Sequence, residues 1–285
     1  MLLWGIPLLS LAIGAWLCGA GNAFDSLAWL WMLPLSVVGA FLALAVLAFL
    51  FLLGICAVVD QSKPQEDDSR FYRFVIQQYI HAVFTLMGVH IHKQGVEQVP
   101  KNGRFLLVCN HVDNVDPVVL LAAFPKSQLA FIGKKETASM FLVGKVMHKL
   151  LCQLINREND KEALKTIITC VRLLQEDKVS VGVFPEGYIR PDHKLHHFRH
   201  GVFKIATKAK VPIVVCTMKN TRQVIPNLLH FRPSHVQLHV LKVFTPEDFA
   251  GMTTVELSEQ IYHLMAQDLG PELVHQDDSE NETTT

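Results

Sequence analysis

From Met1 to Val59 the chain carries a single charged residue, Asp25, and all four of its tryptophans. Nothing constrains the fold more than this. In a bilayer the backbone must satisfy its own polar groups, which leaves the helix as the way for one segment to cross. The first stretch, from Leu2, predicts a helix over about 2–20. A signal peptide is disfavoured because no Lys or Arg precedes the apolar region. The second stretch, Leu27 to Val59, is an uncharged run of 33 residues. About 20 residues suffice to span a bilayer, so one straight span overshoots. Trp29 and Trp31 suit the interface, and Pro34 suits a kink or a helix start. The second helix is therefore expected over about 35–58, and residues 1–59 are expected to form a two-helix transmembrane region. The loop between the spans has no basic residue, whereas Lys63, Arg70 and Arg73 follow the second. The positive-inside rule then predicts an integral protein of the cell membrane with its main domain on the cytoplasmic side.

Residues 60–92 should join that region to a globular domain. Asp60 to Ser69 is polar, with Pro64 and several acids, and reads as a linker. Phe71, Phe74, Val75, Tyr79, Ala82, Val83 and Leu86 then recur at helical spacing up to about His92. Two readings fit equally: an amphipathic helix in the membrane interface, or a helix packed on its own domain.

The net charge of zero hides a split. Asp25, Asp60 and the tail acids Asp277, Asp278, Glu280 and Glu282 lie outside the domain. Taking those six from 26 acids leaves 20 against 26 basic residues, a domain charge of +6. That favours anionic surfaces or substrates, and no basic-aromatic motif points to nucleic acid as a partner. Six scattered cysteines without a C-x-x-C pair read as buried thiols, not as a zinc or redox site.

From residue 93 to 274 apolar runs alternate with helical patterns. Strands are expected at 105–109, 128–132, 152–155, 179–184, 213–217 and 235–244. Helices are expected at 117–124, 138–151, 161–176, 202–209 and 255–269. That alternation predicts an α/β domain, a mostly parallel sheet flanked by helices. Residues 275–285 are polar and acidic and read as a disordered tail.

Chemistry-bearing residues gather where strands end. Asn110, His111 and Asp116 follow the first apolar run and precede Pro117, on a strand-to-helix turn. A His that a carboxylate can orient is a candidate general base. Asp116 before Pro117 is also what a helix N-cap needs. Lys134 and Lys135 follow the second run, Asn156 and Arg157 the third. The fourth is followed by Phe184-Pro185-Glu186-Gly187-Tyr188-Ile189-Arg190, where Glu-Gly makes a turn that presents a carboxylate. His193, His196, His197 and His200 lack accompanying Cys or ordered acid ligands and read as surface or acceptor-facing, so no metal is expected. No G-x-S-x-G elbow, P-loop or H-E-x-x-H occurs.

In this order the motifs resemble those of the glycerolipid acyltransferase family, whose central members are 1-acylglycerol-3-phosphate acyltransferases. Asn110, His111 and Asp116 match its N-H-x4-D block, and Lys134 to Glu136 its lysine-lysine-glutamate stretch. Leu154 to Arg157 resemble its F-I-D/N-R block. Phe184 to Gly187 match F-P-E-G, Phe198 to Gly201 the basic stretch, and Val211 to Ile213 the V-P-I block. The resemblance implies an O-acyltransferase of phospholipid biosynthesis, with His111 and Asp116 catalytic. It implies substrate-binding roles for Asn110, Lys134, Lys135, Arg157, Glu186, Gly187 and Arg190. It further implies a lysophospholipid acceptor among membrane lipids, an acyl thioester of coenzyme A or acyl carrier protein as co-substrate, and no cofactor. Tyr188 and Ile189 depart from the family's Thr-Arg. Another lysophospholipid or a glycolipid acceptor, or a non-catalytic lipid-binding role, are the alternatives.

Overall fold

The computed structural model describes residues 2–156, 159–230 and 232–275. Arg157 and the acidic tail beyond His275 lie outside them. Two helices, α1 (Leu2–Ala20) and α2 (Trp29–Ala57), form an antiparallel hairpin long and apolar enough to cross a membrane. The second begins six residues before the expected start. Pro34 therefore stands inside its second turn, where its missing N–H removes one i→i−4 hydrogen bond from the helix. The hairpin closes on small residues, as expected where hydrocarbon supplies no drive for association. A Cβ on Gly14 would meet Val37 at 2.4 Å, and the Ser36 hydroxyl donates to the Gly14 carbonyl at 3.3 Å.

The segment read as a linker is fastened instead. Asp68 receives a two-point contact from Arg73, both N–O distances 2.7 Å, and Gln128 donates to it at 3.2 Å. Lys178 pairs with Asp67, Lys149 donates to Gln65, and the Ser69 N–H donates to the Lys149 carbonyl. Arg73, counted above among the basic residues after the second span, is buried in this pair and also donates to the Leu129 carbonyl at 3.1 Å. A lysine would keep the charge but not the fork. Arg73→Lys is therefore expected to cost about 1.5–3 kcal/mol, read as a drop in Tm of the detergent-solubilised protein.

Ser69 caps α3 (Arg70–Leu86), accepting from the Tyr72 N–H. One face of α3 is buried through Val75, Ile80 and Phe84. The tyrosines on it bind α2: Tyr72 and Tyr79 donate to the carbonyls of Ile55 and Ala48. The other face exposes Phe71, Phe74, Val83 and Leu86. The buried residues fit a helix packed on its own domain.

The sheet follows: β1 (Val89–Gln94), β2 (Leu106–Cys109), α4 (Asp116–Ala123), β3 (Leu129–Lys134), α5 (Phe141–Lys149), β4 (Gln153–Ile155), α6 (Asp160–Gln175), β5 (Ser180–Val183), α7 (Lys204–Ala209), β6 (Ile213–Lys219), α8 (Val224–Leu229), β7 (Ser234–Phe244) and α9 (Thr254–Leu269). Strand order is β1-β7-β6-β2-β5-β3-β4. Pairing is parallel except between β6 and β7, so β7 and β1 run against the other five strands. This is the mostly parallel α/β sheet expected. β1 was not expected; it lies where the helical pattern was extended to His92, and Gly88 at φ +63° ends the helix before it. The expected helix over 138–151 is a 3₁₀ turn at Lys135–Ser139 followed by α5.

Central strands are buried on both faces, as a parallel sheet between helical layers requires. Leu107 and Cys109 of β2 pack with α3 and α4, through Ile80, Phe84, Val119 and Leu120. Leu106 and Val108 pack with α6, α7 and α9, through Cys170, Ile205, Leu257 and Ile261. The carboxyl ends of β2, β5 and β6 therefore meet at one edge, which is where ligands bind in such sheets.

Candidate active site

β2 ends at Cys109, and the chain must then turn into α4. Asn110 makes the turn rigid. Its side-chain amide donates to the Met218 carbonyl at 2.9 Å and accepts from the Met218 N–H at 2.7 Å. It acts as a substitute strand residue against β6, and it is buried. Its oxygen and one N–H are engaged by the main chain, so it positions His111 while it also borders the cleft beside that residue.

His111 is held from three sides. Its backbone N–H donates to Glu186 Oε1 at 2.8 Å. Its ring stacks on Phe184, centroids 4.1 Å apart at 17°. Its Nδ1 lies 2.8 Å from Asp116 Oδ2. The same oxygen accepts the N–H groups of Val112 and Asp113 at 2.7 and 2.9 Å. Asp116 is fully buried, so its charge rests on these three donors. It is not the N-cap the sequence suggested; Val115 occupies that position, and the carboxylate turns back toward the preceding loop. With Nδ1 on the carboxylate, Nε2 of His111 is the free nitrogen, without a partner among the described residues. A histidine held this way has one nitrogen oriented and the other available to take a proton.

Glu186 is buried and joins two loops: one oxygen takes the His111 N–H, the other the His196 N–H at 3.1 Å. Burial pushes its carboxyl up to about 7. The folded state then binds this proton more tightly than the unfolded chain, so the group's contribution falls as pH rises from 4.5 through about 7. Glu186→Gln removes that term. The stability of wild type relative to this variant is expected to decline across that window and level off above it, in paired melting curves against pH.

Gly187 has φ +88°, and a Cβ there would meet the Arg199 side chain at 2.8 Å. Only glycine fits this turn. Its place is in shaping the turn that presents Glu186. Arg190 is exposed and lies over the Tyr188 ring at 4.0 Å, with Arg199 approaching the same ring at 5.8 Å. Lys134 and Lys135 sit at the carboxyl end of β3, both exposed, and Lys135 is 4.0 Å from Glu162. Phe131 of β3 stacks on Phe184 at 6.0 Å, which ties this edge to the His111 platform. Arg157 lies outside the described residues.

A small open cleft lies beside His111. Asn110, Glu186, His193, Lys194 and Lys219 line it. Lys219 donates to the Asp268 and Leu269 carbonyls at the end of α9. The Lys194 ammonium has no ion pair among the described residues. These two lysines, and Arg199, were not among the expected site residues. Arg199 falls in the Phe198–Gly201 stretch and had a signal; Lys194 and Lys219 had none. The histidines also differ from expectation: His193 Nδ1 lies 3.0 Å from the Val112 carbonyl, and an acid does accompany His196, namely Asp192.

The acyltransferase family model matches residues 90–219. A probable 1-acyl-sn-glycerol-3-phosphate acyltransferase of Mycoplasma pneumoniae is 31% identical over 147 residues, covering 48% of this chain and 54% of that protein. A probable enzyme of the same name from Mycoplasma genitalium is 29% identical over 183 residues, covering 61% and 67%. The chain thus spans between half and two thirds of these relatives' length. The crystal structure of the 1-acyl-sn-glycerophosphate acyltransferase from Thermotoga maritima superposes with a TM-score of 0.60 at 22% identity, covering 82% of this chain and 88% of that one. This last likeness is one of fold.

Proposed function

We propose that the acyltransferase domain matched over residues 90–219 transfers a fatty acyl group from an acyl thioester to the free hydroxyl of 1-acylglycerol-3-phosphate, making phosphatidic acid in phospholipid biosynthesis. The carrying observation is the 2.8 Å contact between His111 Nδ1 and Asp116 Oδ2, with Nε2 left free beside a cleft lined by cations. The names of the relatives support the choice of acceptor.

Nε2 takes the hydroxyl proton as the oxygen attacks the thioester carbonyl. Asp116 fixes the tautomer and stabilises the imidazolium, as the carboxylate does in hydrolytic triads. The C–S bond then breaks, and the departing thiolate, of coenzyme A or acyl carrier protein, takes the proton back. Donor and acceptor are bound together, so no acyl-enzyme is required. Incubation of the purified protein with labelled acyl-CoA or acyl-ACP and a panel of lysolipids tests this. Phosphatidic acid is the expected product, and absence of acyl transfer to any lysolipid from either donor would sink the reading.

Arg190 and Arg199 around Tyr188 stand closest to the family's missing Arg, with Lys134, Lys135 and Arg157 as further candidates for phosphate contacts. Losing one charge-assisted contact costs about 1.5–3 kcal/mol. Arg190→Ala is therefore expected to raise the apparent KM for lysophosphatidic acid by roughly 10- to 100-fold, with the donor's little changed. Equal use of lysophosphatidic acid by variant and wild type removes Arg190 from the site. Preference for an uncharged head group moves the acceptor to another lysolipid or a glycolipid.

The two apolar helices support membrane attachment. Charge asymmetry supports a cytoplasmic domain, since Lys63 and Arg70 follow α2 and no basic residue stands between the helices. In intact cells an impermeant thiol reagent is expected to label a cysteine placed at Asn22 and not one placed at Asn281; the reverse pattern inverts the topology.

A further inference from the structure

We propose that Asp192, His196 and His275 form a binding site for one divalent transition-metal ion of the Zn²⁺ class. Their ligand atoms all lie within 4.8 Å of one another. His196 Nε2 is 3.0 Å from each oxygen of Asp192, so the imidazole points into the mouth of the carboxylate, not along one lone pair. His275 Nδ1 reaches the same carboxylate at 3.2 Å. The two rings lie side by side, centroids 4.2 Å apart at 25°. Around an ion with ligand distances of about 2.0–2.2 Å, neighbouring donor atoms stand roughly 3.2–3.6 Å apart. The three side chains need small rotations to reach that. Two imidazoles and one carboxylate suit Zn²⁺ or Co²⁺ and leave a coordination position open. The side chains are partly exposed, which gives the ion an entry path.

The backbone holds these ligands in place independently of any ion. Asp192 and His196 belong to the loop after β5, whereas His275 follows α9. The Leu195–Val274 bridge joins the two segments, through Leu195 N–H to the Leu273 carbonyl at 2.8 Å and His275 N–H to the Leu195 carbonyl at 3.0 Å. That bridge brings His275 beside two ligands it could not otherwise meet. An ion here cross-links the end of the domain to the loop that lines the His111 cleft. The same loop donates the His196 N–H to Glu186. The ion is placed to stiffen the cleft wall and takes no part in acyl transfer. This inference stands apart from the proposed reaction, and its test does not use activity.

The experiment uses the full chain in detergent, without a histidine tag, stripped with chelator and titrated with Zn²⁺ and Co²⁺. Saturable binding of one equivalent is expected. Visible Co²⁺ absorption should show nitrogen and oxygen ligands, and Tm should rise by about 5–10 °C at a hundredfold excess over Kd. His275→Ala and Asp192→Asn should abolish all three, and His197→Ala, a neighbour outside the cluster, should retain them. Melting of each metal-free variant confirms that it is folded; His275→Asn replaces His275→Ala if the latter is not. Binding that survives loss of His275, or no saturable binding at millimolar Zn²⁺, overturns the proposal.

Discussion

Replacing His111 with alanine is expected to lower the proposed acyl transfer by about 10²–10⁴-fold, the range a positioned general base contributes. The fold should tolerate the change. Asp116 keeps the N–H groups of Val112 and Asp113, so removing the ring does not leave a buried carboxylate without donors. The His111 backbone N–H stays on Glu186. The lost stacking on Phe184 is worth only about 0.5–1.5 kcal/mol. Initial rates and melting curves on the same preparation separate the effects. If more than about a tenth of the rate survives, His111 is a loop residue and another group removes the proton.

Asp116→Asn is expected to lower turnover by about 10⁴-fold, as the equivalent change does in hydrolytic triads. An asparagine oxygen can still accept from Val112 and Asp113. Its NH₂ then occupies the place of Asp116 Oδ1, which has no partner among the described residues. What is lost is the charge that stabilises the imidazolium. If the amide flips, its NH₂ faces Nδ1 and forces the proton onto Nε2, which blocks the base. Either way chemistry suffers before folding does. A collapse of Tm together with activity would make Asp116 chiefly structural.

The contact between His111 and Asp116 was legible because it is local: they stand five residues apart on a turn that a buried strand and a proline delimit. The strands were legible to within a residue or two at most ends because central parallel strands are continuous apolar runs. Phe105 shows the error: it is buried like its neighbours, yet its N–H goes to the Ser180 hydroxyl and not to a ladder. β1 was not legible. It is an edge strand whose histidines face outward, and its few apolar residues continued a helical pattern. The contact of Asn110 with Met218 was not legible for a different reason. An amide that binds a ligand and one that binds Met218 look alike in sequence. The burial of Arg73 was not legible either, since a positive charge carries no sign of whether it meets water or Asp68. Contacts between distant segments left no trace: Asp192 and His275 are 83 residues apart, and a parallel bridge brings them together.

On the proposed reading, the fastening of residues 60–69 sets the height at which the His111 cleft works above the bilayer. A free tether would let the catalytic sheet wander, and each encounter with a lipid would carry an entropic cost set by tether length. Here Lys145 donates to the Val59 carbonyl, Tyr72 and Tyr79 hold α2, and Asp68 holds Arg73. Hairpin and sheet are tied at several points along this segment. Lengthening this segment by a few glycines would therefore not simply loosen the molecule. It would shift the depth at which His111 meets a hydroxyl, and with it the lipids whose hydroxyl lies within reach. Under the proposed reaction, substrate choice is then a matter of altitude as well as of pocket shape.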